Sequence, residues 1–309
     1  MRNTFAEHFL QLAKADNRLI LITGDLGYGV LDKIATEIPD QFINAGIAEQ
    51  SMMSMAAGLA SQGYRPFVYS IANFPTFRCL EQIRNDVCYM NNPVTIVSVG
   101  AGLSYGNLGY THHAVEDISI MRSLLNIDLY SPGEPIEVQL CISDILELDR
   151  PAYLRLGKGG ERALSSEQVG KTCENRQIRT GRDGYIAFTG GIGALAIEAH
   201  ELLAELDICP SVISVPKLTR ENIQKLNLQI ANSHVLILEE HVLGGGFGSW
   251  VLEERENMRL QFLTERMGVD QSNKSILGSQ RYLLEQSGLT ADSIAAKFRS
   301  LLDLSRAKF

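Results

Sequence analysis

No stretch of this chain approaches the ~20 consecutive apolar residues that a helix needs to cross a bilayer. The opening Met1-Arg2-Asn3-Thr4-Phe5-Ala6-Glu7 also lacks the basic-then-apolar pattern of a secretory signal, because Glu7 and His8 interrupt it early. Cysteine is sparse: Cys79, Cys88, Cys141, Cys173 and Cys209 are scattered, odd in number and without metal-ligand spacing. That pattern reads as buried free thiols in a reducing, cytoplasmic setting. An excess of positive charge is missing too. The formal net charge of −8 argues against nucleic acid or an anionic membrane as the main partner, and leaves a local phosphate site open. There is no tandem repeat of solenoid period and no low-complexity tract.

What remains is a globular composition. The 309 residues are 45% hydrophobic and 21% charged, enough for two ordinary domains. Apolar runs of β type recur at 19–23, 66–70, 94–99, 128–130 and 152–156, then at 185–189, 212–215 and 234–238, with helical patterns between them. Continuous apolar strands separated by helices predict an α/β fold of two domains, each a mainly parallel sheet with helices on both faces. Between Glu161 and Gly184 the composition turns polar, which places domains at 1–165 and 184–309 and a linker at 166–183.

The most informative residue is Glu49, an acid that opens a long apolar segment. Met52, Met53, Ala56, Ala57, Leu59 and Ala60 follow it at helical spacing. A carboxylate at the edge of a buried helix start either satisfies the helix dipole or needs a partner or a proton. The surrounding words, Gly46-Ile47-Ala48-Glu49-Gln50 and then Ala56-Ala57-Gly58-Leu59-Ala60, resemble the pyrimidine-binding domain of transketolases and 1-deoxyxylulose-5-phosphate synthases. In that family the matching glutamate bonds the aminopyrimidine ring of thiamin diphosphate, where an acid beside N1′ promotes the reactive tautomer.

Further motifs extend the resemblance. In Tyr69-Ser-Ile71-Ala-Asn-Phe74-Pro-Thr-Phe77-Arg78, residues Ile71, Phe74 and Phe77 are spaced by three and could share one wall. The resemblance makes them the surface on which the pyrimidine stacks. Arg78 and the following Gln82-Ile-Arg84-Asn85 read as scaffold and interface. Gly106-Asn-Leu108-Gly109-Tyr110-Thr111-His112-His113 is similar to a transketolase loop whose histidine touches the reacting hydroxyls. That implies an acid–base role for His112 and assigns none to His113. Asp25, in Thr23-Gly24-Asp25-Leu26-Gly27, matches a residue lining the cofactor cleft. Arg2 and Arg155 match two arginines that grip the donor phosphate, a task suited to a planar guanidinium. The second half carries Leu238-Glu239-Glu240-His241 and the glycine run Gly244-Gly245-Gly246, similar to the transketolase C-terminal domain, where this loop is structural.

The chain also departs from the pattern. No Gly-Asp-Gly followed by the metal-binding Asn is present, so the resemblance implies that a separate N-terminal subunit holds Mg²⁺ (or Ca²⁺) and the diphosphate, in an α2β2 heterotetramer. Gly29 stands where a phosphate-binding serine is common, Gly100 where a histidine contacts the donor, and Leu108 where an aspartate reads a ketose hydroxyl. The expectation is a split transketolase-like subunit moving a two-carbon ketol unit from a ketose or ketose phosphate to an aldose, with small sugars as substrates. The alternative is a 2-oxo acid decarboxylating subunit, of pyruvate dehydrogenase beta type or catalysing a deoxyxylulose-phosphate-type condensation. Leu108 favours this second reading; the Arg2–Arg155 pair favours the first.

Overall fold

Residues 1–164, 172–273 and 275–306 of the computed structural model are described, and among them twelve strands form two sheets. They are β1 (Leu19–Thr23), β2 (Phe42–Asn44), β3 (Arg65–Ile71), β4 (Thr95–Val99), β5 (Asp128–Tyr130), β6 (Ala152–Leu156), β7 (Arg176–Arg179), β8 (Tyr185–Thr189), β9 (Ser211–Ser214), β10 (Lys217–Leu218), β11 (His234–Glu239) and β12 (Leu263–Met267). The first sheet runs β10-β5-β6-β4-β3-β1-β2 and the second β12-β11-β8-β9-β7. Every pair is parallel except β10 with β5 and β7 with β9, so the expected α/β architecture of two mainly parallel sheets is the observed one.

The central strands are apolar because both faces are covered. On one side of the first sheet, Phe5 and Phe9 of the helix Arg2–Ala15 pack on Phe67, with centroids 6.2 and 5.1 Å apart. On the other, Met52, Met53 and Ala56 of the helix Glu49–Ser61 join Ile22, Val68 and Ile96 in a second core. Each fully buried large side chain contributes about 1.5–3 kcal/mol, so the helical spacing after Glu49 is explained by burial.

Two details revise the expected organisation. The stretch 166–183, expected as linker, contains β7, an edge strand of the second sheet; residues 165–171 lie outside those described. The short β10, from the second half, crosses over to pair with β5 at the edge of the first sheet. The two halves are thus tied by backbone hydrogen bonds. No helix among the described residues is long and apolar enough to cross a membrane.

Candidate active site

In a parallel sheet, loops leaving the carboxyl ends of the strands gather at one edge and form the usual ligand crevice. Here register aligns Thr23 with Asn44 and with Tyr69, and Val99 with both Ile71 and Leu156, so Asp25, Asn44, Ile71 and Gly100 all emerge at that edge. Asp25 has φ of +58°, a left-handed conformation that costs a non-glycine residue energy. The Asn44 side chain holds it there. Its Oδ1 accepts the Asp25 and Gly46 amides at 2.9 and 3.0 Å, and its Nδ2 donates to Asp25 Oδ1 at 3.1 Å. The Tyr28 hydroxyl donates to the same oxygen at 2.7 Å, and the hydrogen bonds from Tyr28 and Asn44 hold the Asp25 carboxyl below its ordinary range.

Glu49 is the first residue of its helix, and its side chain is only 8% exposed. It satisfies both readings of a buried acid: it stands in the first turn, and it has a partner. Arg78 Nη1 donates to Glu49 Oε1 at 2.8 Å, while the same guanidinium lies 4.1 Å over the Phe74 ring. Phe74 in turn meets the His112 ring edge-on, with centroids 5.2 Å apart. The Asn73 amide donates to the Thr111 carbonyl, fastening the 106–112 turns to the end of β3, and Thr111 Oγ1 lies 3.0 Å from His112 Nδ1. The fold therefore links Glu49 at one helix start, through Arg78, to Phe74 at another helix start and on to His112 in the 110–112 turn. Phe77 is 38% exposed, unusual for a phenylalanine, and Ile71 is half-buried at the strand end. His113 is buried, and burial pulls its imidazole below the ordinary value.

A pyrimidine ring requires apolar surface with an acid at its rim, and the residues present fit it: Phe77 is exposed, and Glu49 is joined to Phe74 through Arg78, which covers one face of that ring. The described residues contain no cluster of three or more His, Cys, Asp or Glu side chains able to hold a metal.

The positions expected to contact the donor have these surroundings in the tertiary structure. Arg155, expected to grip phosphate, is only 2% exposed and is committed inside the protein. Its Nε donates to Asp117 Oδ2 at 2.7 Å, and Nη2 donates to the carbonyls of Ala114 and Glu240 at 2.8 and 3.0 Å. The reason is chemical: a buried guanidinium needs a counter-charge and acceptors, and Asp117 is wholly buried beside it. Gly100 leaves no open space in place of a side chain, because a Cβ there would lie 2.1 Å from the Tyr105 ring. Gly29 is exposed and donates its amide to both Asp32 carboxylate oxygens at 3.1 Å. Leu108 is 54% exposed. Arg2 keeps a buried Nε with no hydrogen-bond partner among the described residues.

Sequence reasoning missed Arg78 as the partner of Glu49, Asn44 as the clamp on Asp25, and Tyr105 as the occupant beside Gly100. Asn44 was detectable, since an amide just before a tight Gly46 turn is a common backbone cap. The other two depend on contacts across 29 and 5 positions that no local signal marks.

Comparison with known proteins identifies the family. Residues 1–161 match the model of the transketolase pyrimidine binding domain. The chain is 30% identical to one of the subunits of the apulose-4-phosphate transketolase of Actinobacillus succinogenes, covering 95% of this chain and 96% of that one. It is 33% identical to 1-deoxy-D-xylulose-5-phosphate synthase 1 of Geobacter metallireducens over 96% of its own length, and spans 48% of that enzyme. A solved chain described as a split-gene transketolase, inactive β4 tetramer, superposes with a TM-score of 0.83 at 28% identity, with 98% of each chain covered. The chain belongs to the transketolase family and corresponds to the C-terminal portion of those enzymes, opening with their pyrimidine-binding domain.

Proposed function

We propose that this chain is the C-terminal subunit of a split, thiamin diphosphate-dependent transketolase that passes a two-carbon ketol unit from a ketose phosphate to an aldose. The observation that carries the reading is the chain of contacts from Glu49 through Arg78 to Phe74 and on to His112, with Phe77 exposed in the same short helix as Phe74. When bound, thiamin diphosphate supplies a carbon nucleophile that no side chain offers. Glu49 holds a proton at the pyrimidine N1′, Phe74, Phe77 and Ile71 orient the ring and exclude water, and Asp25 lines the cleft. His112 moves a proton at the reacting hydroxyls. Arg2 is assigned to the donor's anionic end, while the Gly29 amide is already taken by the Asp32 carboxylate.

The Mg²⁺ (or Ca²⁺) and the diphosphate fall to an N-terminal partner subunit in an α2β2 assembly. Support comes from the description of the similar β4 assembly as inactive, and from the chain's spanning half of the single-chain synthase. The test is turnover with and without the partner. The chain alone should show no thiamin-dependent activity. With the partner, Glu49→Ala should lower kcat by about 100-fold or more, as loss of general acid–base catalysis does. Robust turnover without the partner, or full activity of the variant, would refute the assignment.

A second reading, 2-oxo acid decarboxylation or a deoxyxylulose-phosphate-type condensation, is favoured by Leu108, whose exposed apolar side chain accepts no hydroxyl hydrogen bond. With Arg155 committed internally, the phosphate argument against it rests on Arg2 alone. Carbon dioxide release from pyruvate by the assembled enzyme would select this second reading. Its absence, with product formed from a ketose phosphate, selects the first.

A further inference from the structure

The segment 101–116 leaves β4, carries Leu108 and His112, and ends at Asp117, the start of a short helix. It is closed at its neck, where Gly102 and Ala114 exchange backbone hydrogen bonds of 2.9 and 2.8 Å. That neck is gripped largely by the second half of the chain. Glu240 Oε1 accepts the Leu103 amide at 2.7 Å, and Gln280 Nε2 donates to both Glu240 oxygens at 2.9 Å. The Val242 amide donates to the Val115 carbonyl at 2.9 Å. Arg155 joins the two sides, donating to Ala114 on the neck and to the Glu240 backbone. Its counter-ion Asp117 also accepts the Tyr153 hydroxyl at 2.6 Å.

We propose that Arg155, Glu240 and Gln280 are positioning residues, through which the end of β6, the residue following β11 and the start of the helix Gln280–Gln286 together clamp the neck of the 101–116 loop and so set where His112 stands against Phe74 and Glu49. The clamp is buried: Arg155, Asp117 and Glu240 are 2%, 0% and 3% exposed. Charge-assisted hydrogen bonds in such surroundings are strong and directional, which suits a rigid support. The second half of the chain thereby acquires a catalytic purpose without touching substrate. This inference rests on the acid–base role given to His112.

The experiment uses the chain assembled with its partner and compares Gln280→Ala and Arg155→Lys with the parent. Amide hydrogen exchange at Leu103 and Ala114 reads the clamp independently of activity. Gln280→Ala should speed exchange at these amides by about 10-fold, the worth of one charged hydrogen bond, with the melting temperature little changed. Its kcat should fall while the KM for donor stays constant. Arg155→Lys should lower kcat by up to about 100-fold, the cost of a small misplacement of a catalytic group, equally for phosphorylated and unphosphorylated donors. A KM rise confined to phosphorylated donors would make Arg155 a phosphate ligand and overturn the proposal. Unchanged exchange at the neck in Gln280→Ala would also overturn it, and that variant decides the matter if Arg155→Lys does not fold. Faster exchange combined with full activity of Glu49→Ala would instead keep the clamp and remove the thiamin-dependent reading beneath it.

Discussion

At Gly100 a single missing side chain has a specific cause. The residue has φ of +93°, and a Cβ would collide with the Tyr105 ring. Gly100→Ala should therefore destabilise the chain by about 2 kcal/mol or more, from overpacking plus left-handed strain. In Gly100→Ala/Tyr105→Ala the collision disappears and only the strain remains. Urea unfolding should then show the double variant less destabilised than the sum of the two single ones. Strict additivity would mean that Tyr105 is not the obstruction. Local words told where Glu49, Phe74 and His112 stand in the chain, because each sits in a recognisable motif. They could not tell that Arg78 spans Glu49 and Phe74, or that Arg155 turns inward to Asp117, since both depend on distant segments meeting.

Element by element, the expected strands share one property. All eight are interior strands, and the four not expected, β2, β7, β10 and β12, are the four sheet edges. An interior parallel strand is covered on both faces and reads as a continuous apolar run; an edge strand is not, and Arg-Gln-Ile-Arg in β7 buries only Ile178. The glycine run after β11 also has an element-scale explanation. Glu239 caps the helix Phe247–Asn257, its oxygens accepting the Phe247 and Gly248 amides at 2.7 and 3.0 Å, and a Cβ on Gly246 would sit 2.1 Å from that carboxylate. Burial pushes the Glu239 carboxyl up to about 7 from 4.5, against the pull of those amides. Because the folded value lies above the unfolded one, this group's stabilisation is complete below pH 4.5 and is lost as pH rises through 7. The gap is worth about 3 kcal/mol. The melting temperature should therefore fall between pH 5 and 8 by several degrees more in the parent than in Glu239→Gln. Parallel pH profiles for the two proteins would contradict the linkage.

For the whole molecule, the proposed function makes this site one half of a site shared with a partner. Tyr28, Ile47 and Phe77 stay exposed in the segments that follow β1, β2 and β3, although large apolar side chains usually find cover. Light scattering should show the mass of two chains of each kind once the diphosphate-binding partner is added; a mass set by this chain alone, unchanged by the partner, would count against the split assembly. What the sequence by itself determined was the alternation of strands and helices, the parallel sheets, and the family membership carried by Glu49, Phe74 and His112. These follow from short-range periodicity and contiguous motifs. Only the tertiary structure decided that Arg155 turns inward to Asp117, Ala114 and Glu240, that Tyr105 stands beside Gly100, and that Glu240 accepts the Leu103 amide at the neck of the His112 loop. Each of those depends on burial and on partners up to 137 positions away, and no local pattern encodes them.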